Sequence, residues 1–272
     1  GSAQRFLEAD RTLRRIEEQQ SPFSADLSRL ASKVSLRLDD FDRALDMAKQ
    51  AAADSPRQED HIWLGQVLGI VGQRAWAETR TAEADRIWGE AEKELRRAVE
   101  QSHNSPDAWV AMIQFLVRTA QKEKAEEAVA EAEGKIPVEQ APLALAQCYE
   151  VMGDREMAEK KYLAAVAAAP ADVTVLRRLV EFYLRTGKTR DAQTHLKRIV
   201  AGEMKAGGQH LVWARRALAL ILAGQGTYDS LRQGLELVEE NLRTARAVQD
   251  LRAKAVLLSA HPQRQENNKP AK

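Results

Sequence analysis

Apolar residues recur every three or four positions along most of the chain, the period of one face of an α-helix. Between residues 139 and 170 the pattern resolves into two short amphipathic helices around a Gly-Asp turn. Leu145, Ala146 and Tyr149 share a face of the first, and Ala158, Tyr162 and Ala165 share a face of the second, with Pro170 as the stop. Residues 173–201 repeat the arrangement through Leu179, Val180, Tyr183, Gly187, Ala192, Leu196 and Ile199. Just upstream, Ser105 caps a helix with Pro106 in its first turn. Trp109, Met112, Ile113 and Leu116 form its stripe, and Ala125, Ala128 and Val129 that of its partner. Ala125 and Ala158 are 33 residues apart, and Ala158 and Ala192 are 34 apart.

The flanks vary this theme. Residues 24–56 give one stripe of Leu27, Leu30, Ala31, Val34 and Leu38 and a second of Phe41, Ala44, Leu45, Ala48 and Ala51. The intervening Asp39-Asp40 turn lacks glycine, so left-handed strain or a longer helix end is expected there. Residues 4–20 (Phe6, Ala9, Leu13, Ile16) match only a second helix, ended by Ser21-Pro22. They are either half of a unit cut from a longer array or a capping helix. In residues 57–104, Leu64, Gly65 and Leu68 lead to Gly72, while Ala91, Leu95 and Ala98 mark the partner helix. Residues 73–86 are a 14-residue insertion without Gly or Pro. It predicts one overlong hairpin with Trp76 and Trp88 in the extension. The tip is expected near Thr79-Arg80-Thr81, where Thr can cap a helix start; the alternative is one long helix followed by a separate one. Beyond residue 201, a helix over 211–223 (Trp213, Ala217, Leu220, Ile221) turns at Gly224-Gln225-Gly226. A second helix follows over 228–248 (Leu231, Leu235, Val238, Leu242), then a last one over 250–260 (Leu251, Ala255, Leu258). Residues 261–272 read as a polar, disordered tail.

This helix–turn–helix unit resembles the tetratricopeptide repeat, whose period is about 34 residues. On that resemblance, residues 3–260 are one array. Its units are 24–56, 57–104, 105–138, 139–172, 173–208 and 209–248, with half units at 4–20 and 250–260. The resemblance implies an all-α, right-handed superhelical solenoid of antiparallel hairpins, with the first helices lining a concave groove. Each hairpin leaves an apolar face that only its neighbour covers.

Composition narrows the class. Strand signals are nearly absent, and Ala, Leu, Glu, Arg and Gln dominate. Lys and Arg total 41 against 40 Asp and Glu, a net charge of +1 that argues against a dedicated nucleic-acid or anionic-membrane binder. The lone Cys148 excludes an intramolecular disulfide framework and fits a reducing compartment, the cytoplasm before others. No apolar run approaches the ~18 residues of a membrane span, so no insertion is expected. Gly1-Ser2 resembles a cloning scar, which leaves a native targeting segment open.

Chemistry is hard to find. His61, His103, His195, His210 and His261 show no metal-ligand spacing and read as surface or connector residues. Cys148 reads as a small buried filler without a general base nearby in sequence. Gly224-Gln225-Gly226 lacks the strand and third glycine of a dinucleotide loop, while Gly65, Gly69 and Gly72 suit close helix packing. Glu92, Glu94, Glu239 and Glu240 read as solvated faces. No catalytic, cofactor-binding or metal residues are therefore assigned. The candidate partner-binding residues are the outward first-helix positions Gln114, Gln147, Arg177, Arg178, Glu181, Arg185, Arg215 and Arg252. Trp76 and Trp88 join them, as mutual packing or as an aromatic anchor. The first complete unit presents Arg29 and Lys33, but no Asn follows at matching groove positions, against a chaperone-type carboxylate clamp. The later arginines favour an acidic or carboxylate-bearing segment. The chain thus reads as a non-catalytic scaffold that binds a peptide or protein segment. The alternatives are a regulatory or substrate-recruiting array of a larger enzyme, and a homo-oligomeric module; oligomeric state is open.

Overall fold

The structure is a computed structural model in which residues 2–19, 23–53 and 55–260 are described. The expected helix stop at Ser21-Pro22 and the tail at 261–272 lie outside the described residues. Among the described residues there are fourteen helices and no strand. They are α1 (Ser2–Gln19), α2 (Ala25–Arg37), α3 (Phe41–Ala52), α4 (Gln58–Ala77), α5 (Thr81–Gln101), α6 (Pro106–Arg118) and α7 (Lys122–Lys135). There follow α8 (Ala141–Met152), α9 (Arg155–Ala168), α10 (Val173–Arg185), α11 (Thr189–Val200), α12 (Gly208–Gln225), α13 (Tyr228–Thr244) and α14 (Val248–Ser259). They form two compact units, Gly1–Ala158 and Glu159–Lys272, with the boundary inside α9.

Both units are built of tetratricopeptide-like antiparallel hairpins. In the first, α2 packs on α3, α4 on α5 and α6 on α7, while α2, α4, α6 and α8 touch in succession. In the second, α10 packs on α11 and α12 on α13, with α10, α12 and α14 in succession. Starts are set by side chains that accept otherwise unpaired amides: Ser24 from Leu27, Asp40 from Arg43, Ser105 from Ala108 and Thr227 from Ser230.

One backbone device closes five successive first helices. A left-handed residue donates its amide three positions back, and the next residue donates five back, the Schellman pattern. At Asp39 the acceptors are Leu36 and Ser35, at Thr79 Trp76 and Ala75, at Ala120 Val117 and Leu116, at Gly153 Glu150 and Tyr149, and at Gly187 Leu184 and Tyr183. Only two of the five are glycine. Asp39, Thr79 and Ala120 sit at φ of 59°, 62° and 58°, where a Cβ is strained. The capping role expected of threonine at the hairpin tip is not found. The residue before α5 is Arg80, with no side-chain cap, and Thr79 takes the left-handed position instead.

The insertion lengthens both members of the α4–α5 pair. Trp76 stacks on Trp88 with ring centroids 5.6 Å apart, and Gly72 makes room for Trp88, since a Cβ there would lie 2.5 Å from its ring. Nearer the core, Gly65 fits against the fully buried Leu95 in the same way.

Two expected stripes, on α12 and α14, are rotated, and the α2 stripe keeps Ala31 and Val34 inside but loses Leu30. On α2, Leu30 is 48% exposed, and Ser28, Ser32 and Ser35 are buried in its place. Ser32 donates to the Ala44 carbonyl at 2.6 Å and accepts from the Trp63 indole at 2.9 Å, so a hydroxyl is stable inside. On α12, Leu220 is exposed while Ala214, Leu218, Ala219 and Leu222 are buried. On α14, Leu251, Ala255 and Leu258 face outward and Asp250, Ala253 and Leu257 inward. The cause on α14 is Asp250, whose carboxylate takes two bonds from Arg216 at 2.7 and 2.9 Å and one from the Asn241 amide at 3.0 Å. Those bonds turn its face inward, and the leucine stripe turns away. α13 also stops at Thr244, short of residue 248, because Ala245 is extended.

Candidate functional site

The same turn of α2, α4 and α6 bounds a groove of about 480 Å³ in the first unit. Ile62, Trp63, Val110 and Ala111 give it an apolar floor, and Arg29, Lys33, Glu59, Gln66, Asp107 and Gln114 give it a polar rim.

The rim charges are not equivalent. Arg29 is held by Asp26 and Asp60, each at 3.0 Å. Asp60 is fully buried and also accepts from Arg57 at 2.9 Å and Ser55 at 2.8 Å. Three donors satisfy the carboxylate, so its burial is stable but Arg29 is committed to it. The neighbouring His61 is buried as well, against the expectation of a surface or connector position. Its Nδ1 lies 2.7 Å from Glu94 and its Nε2 3.0 Å from the Ser55 carbonyl. Glu94 is correspondingly a structural partner, not a solvated face. Lys33 is different: its ammonium lies over the Trp63 ring, 5.2 Å from the centroid.

Of the residues singled out in the sequence, Gln114 lies on this groove, whereas Gln147 is half-buried on α8 and does not line it. In the second unit Arg177, Arg178 and Glu181 come together on α10. Arg177 bonds Glu181 at 2.7 Å with its guanidinium 4.7 Å from the Trp213 ring centroid, and exposed Arg178 stands 3.6 Å from the same carboxylate. Arg215 pairs with Glu240 at 2.6 Å. Arg185 and Arg252 are exposed on α10 and α14. Trp76 is 52% exposed near the tip of the long hairpin and Trp88 half-buried beneath it. Sequence reasoning passed over Trp63, Glu59, Gln66 and Asp107. The one usable signal was spacing, since Arg29 and Trp63 are 34 residues apart and so occupy equivalent turns of α2 and α4.

Reactive groups are muted. Burial pushes the Cys148 thiol up to about 12. Burial, with the charge and hydrogen bond of Glu159, pushes Tyr183 up to about 12. Burial lowers His195 from its ordinary value, and nearby Arg198 adds to this. Among the described residues no three His, Cys, Asp or Glu side chains converge as for a metal ion. No helix there is long and apolar enough to cross a membrane.

No protein-family model matches the chain, and no curated protein does. Solved structures do. A thermophilic TPR protein of Thermus thermophilus is 19% identical at a TM-score of 0.49, over 67% of this chain and 93% of its own. A tetratricopeptide repeat protein of Parabacteroides merdae is 12% identical at 0.48, over 93% and 92%. Yeast Tom70 is 15% identical at 0.49, over 98% of this chain and 61% of its own.

Proposed function

We propose that the chain is a non-catalytic protein-interaction module and that the groove across α2, α4 and α6 receives a segment of a partner protein. The observation that carries this reading is the groove itself: three successive first helices expose an apolar floor beside polar side chains that are not all paired internally. Ile62, Trp63 and Val110 supply apolar contact. Glu59, Gln66, Asp107 and Gln114 offer donors and acceptors that fix register, the division of labour common to recognition sites. In the second unit the exposed Arg178 and Arg252 remain candidate contacts for a carboxylate-bearing partner, as does Trp76 on the first unit for an aromatic anchor.

Selection of peptides from a random display library on the immobilised protein tests this reading. Selected peptides are expected to lose binding to Gln114→Trp, which fills the groove from its half-buried rim, while circular dichroism stays unchanged. Peptides that bind wild type and Gln114→Trp equally, or a selection that enriches nothing, would overturn the proposal.

A further inference from the structure

A second cavity, of about 680 Å³, adjoins the groove and shares Trp63 and Lys33 with it. Its walls are Phe6 of α1, Leu30 and Val34 of α2, Phe41 of α3, and Trp63 and Ile70 of α4. Leu30 is 48% exposed on a helix whose buried face is Ser28, Ala31, Ser32, Val34 and Ser35. The volume suits one or two bulky apolar side chains.

The charges around it are one-sided. Lys33 and Arg37, one helical turn apart on α2, are both exposed and line the cavity, and no acidic residue lines it. Neighbouring arginines have carboxylate partners: Arg29 has Asp26 and Asp60, Arg43 has Glu17, and Arg74 has Glu78 while lying 4.7 Å from the Phe41 ring centroid. Lys33 and Arg37 make no ion pair among the described residues. Other exposed cations of this unit, such as Arg11, Arg15 and Lys49, also lack an ion pair among the described residues, but Lys33 and Arg37 are the two that line an open apolar cavity, and there they mark where an outside carboxylate would be attracted.

We infer that this cavity selects an acidic partner segment: a bulky apolar side chain enters between Phe6, Leu30, Phe41 and Trp63, and an adjacent Asp or Glu meets Lys33 and Arg37. The inference rests on the groove reading above and specifies its ligand. A second copy of this chain fits less well. The exposed apolar face of α14, Leu251 and Leu258, is accompanied by Arg252 and would bring like charge to Lys33 and Arg37.

The test uses the full chain and three short, capped, fluorescently labelled peptides: one with Leu, Phe and Glu, one with each Glu replaced by Gln, and one with Leu and Phe replaced by Ala. Anisotropy is expected to show the first binding about tenfold more tightly than either of the others. Raising salt should weaken it. The double variant Lys33→Glu/Arg37→Glu should lose about tenfold for the acidic peptide and little for the Gln peptide. Leu30→Gln should weaken both apolar peptides, and Trp63→Phe should remove the change in tryptophan emission on binding. If Gln114→Trp abolishes binding but the charge-reversed variant binds as wild type does, the acidic specificity falls and the groove reading stands. If binding is indifferent to both, both fall. An acidic peptide that does not bind overturns the inference. So does concentration-dependent self-association that the charge reversal abolishes without any peptide effect, which would assign the cavity to a second copy.

Discussion

Three glycines on the α4–α5 hairpin should respond to the same substitution with different signs. In a helix interior, Gly→Ala is favourable by about 1 kcal/mol from backbone entropy alone. At Gly89 of α5 a new Cβ meets nothing within 4 Å, so Gly89→Ala should gain that amount. At Gly69 of α4 the Cβ would lie 3.5 Å from Phe115, an ordinary contact, and Gly69→Ala should gain as much or slightly more. At Gly65 it would lie 2.5 Å from Leu95 Cγ, 2.9 Å from its Cδ2 and 3.3 Å from the Ala91 carbonyl. Leu95 is fully buried and has nowhere to swing. Overpacking of this kind costs about 1–3 kcal/mol, and because the contact is as short as 2.5 Å on a side chain that cannot move, the upper part of that range applies and leaves Gly65→Ala destabilised by up to about 2 kcal/mol. Thermal unfolding followed by circular dichroism would read this as shifts of about 2–4 °C per kcal/mol, up for Gly89→Ala and down for Gly65→Ala. Hydrogen exchange on α4 and α5 locates the effect. A Gly65→Ala protein as stable as Gly89→Ala would refute the close approach of the two helices.

Thr79→Gly should stabilise the hairpin tip by about 1 kcal/mol, because a β-branched residue at φ of 62° gives way to one without a Cβ; an unchanged melting temperature would count against that backbone. Asp250→Asn should cost about 2–3 kcal/mol, somewhat under the usual loss for a broken buried pair because Arg216 is partly solvated. Burial opposes the Asp250 charge, but the bonds from Arg216 and Asn241 and the guanidinium charge outweigh it and hold the carboxyl below its ordinary value. The group therefore stabilises the fold above the ordinary carboxylate range, and this is lost as pH falls below about 4. Hydrogen exchange in α12–α14 should show that acid loss in wild type and lack it in Asp250→Asn. Cys148 should resist iodoacetamide in the native protein at mildly alkaline pH and react on denaturation; rapid native labelling would contradict its burial. His61→Leu strips Glu94 and the Ser55 carbonyl of a partner and should cost about 1–3 kcal/mol by urea unfolding.

Legibility followed side-chain size and repetition. Trp109, Met112, Ile113 and Leu116, or Leu179, Val180 and Tyr183, repeat at one spacing and are all buried, because a hairpin stack has one inner stripe per helix and large apolar groups can only go there. On α2 and α14 the reading failed where polar groups go inside. Ser28, Ser32 and Ser35 displaced Leu30, and Asp250 displaced Leu251 and Leu258. His61 looked like a connector because its two acceptors, Glu94 and the Ser55 carbonyl, belong to other segments. The site was less legible still. Gln114 was placed on the first-helix face from phase alone, but phase could not show that Arg29 is engaged by Asp60 and Lys33 by no carboxylate.

The helix–turn–helix repeat, the helix starts at Ser24, Ser105 and Thr227, and the extra length around Trp76 and Trp88 are therefore properties of the sequence by itself. Each depends on residues a few positions apart, through periodicity, capping or the absence of Gly and Pro. Which face of α12 and α14 turns inward, and the exposure of Leu30 on α2, were decided by tertiary structure. So were the left-handed Thr79 and Ala120, the division inside α9, and the cations left unpaired beside an apolar cavity, whereas the left-handed strain at Asp39 was already expected from the missing glycine. The Ser32 hydroxyl and the Asp250 carboxylate are held by partners on other helices, and the positions of those partners are set by packing that the linear pattern does not encode.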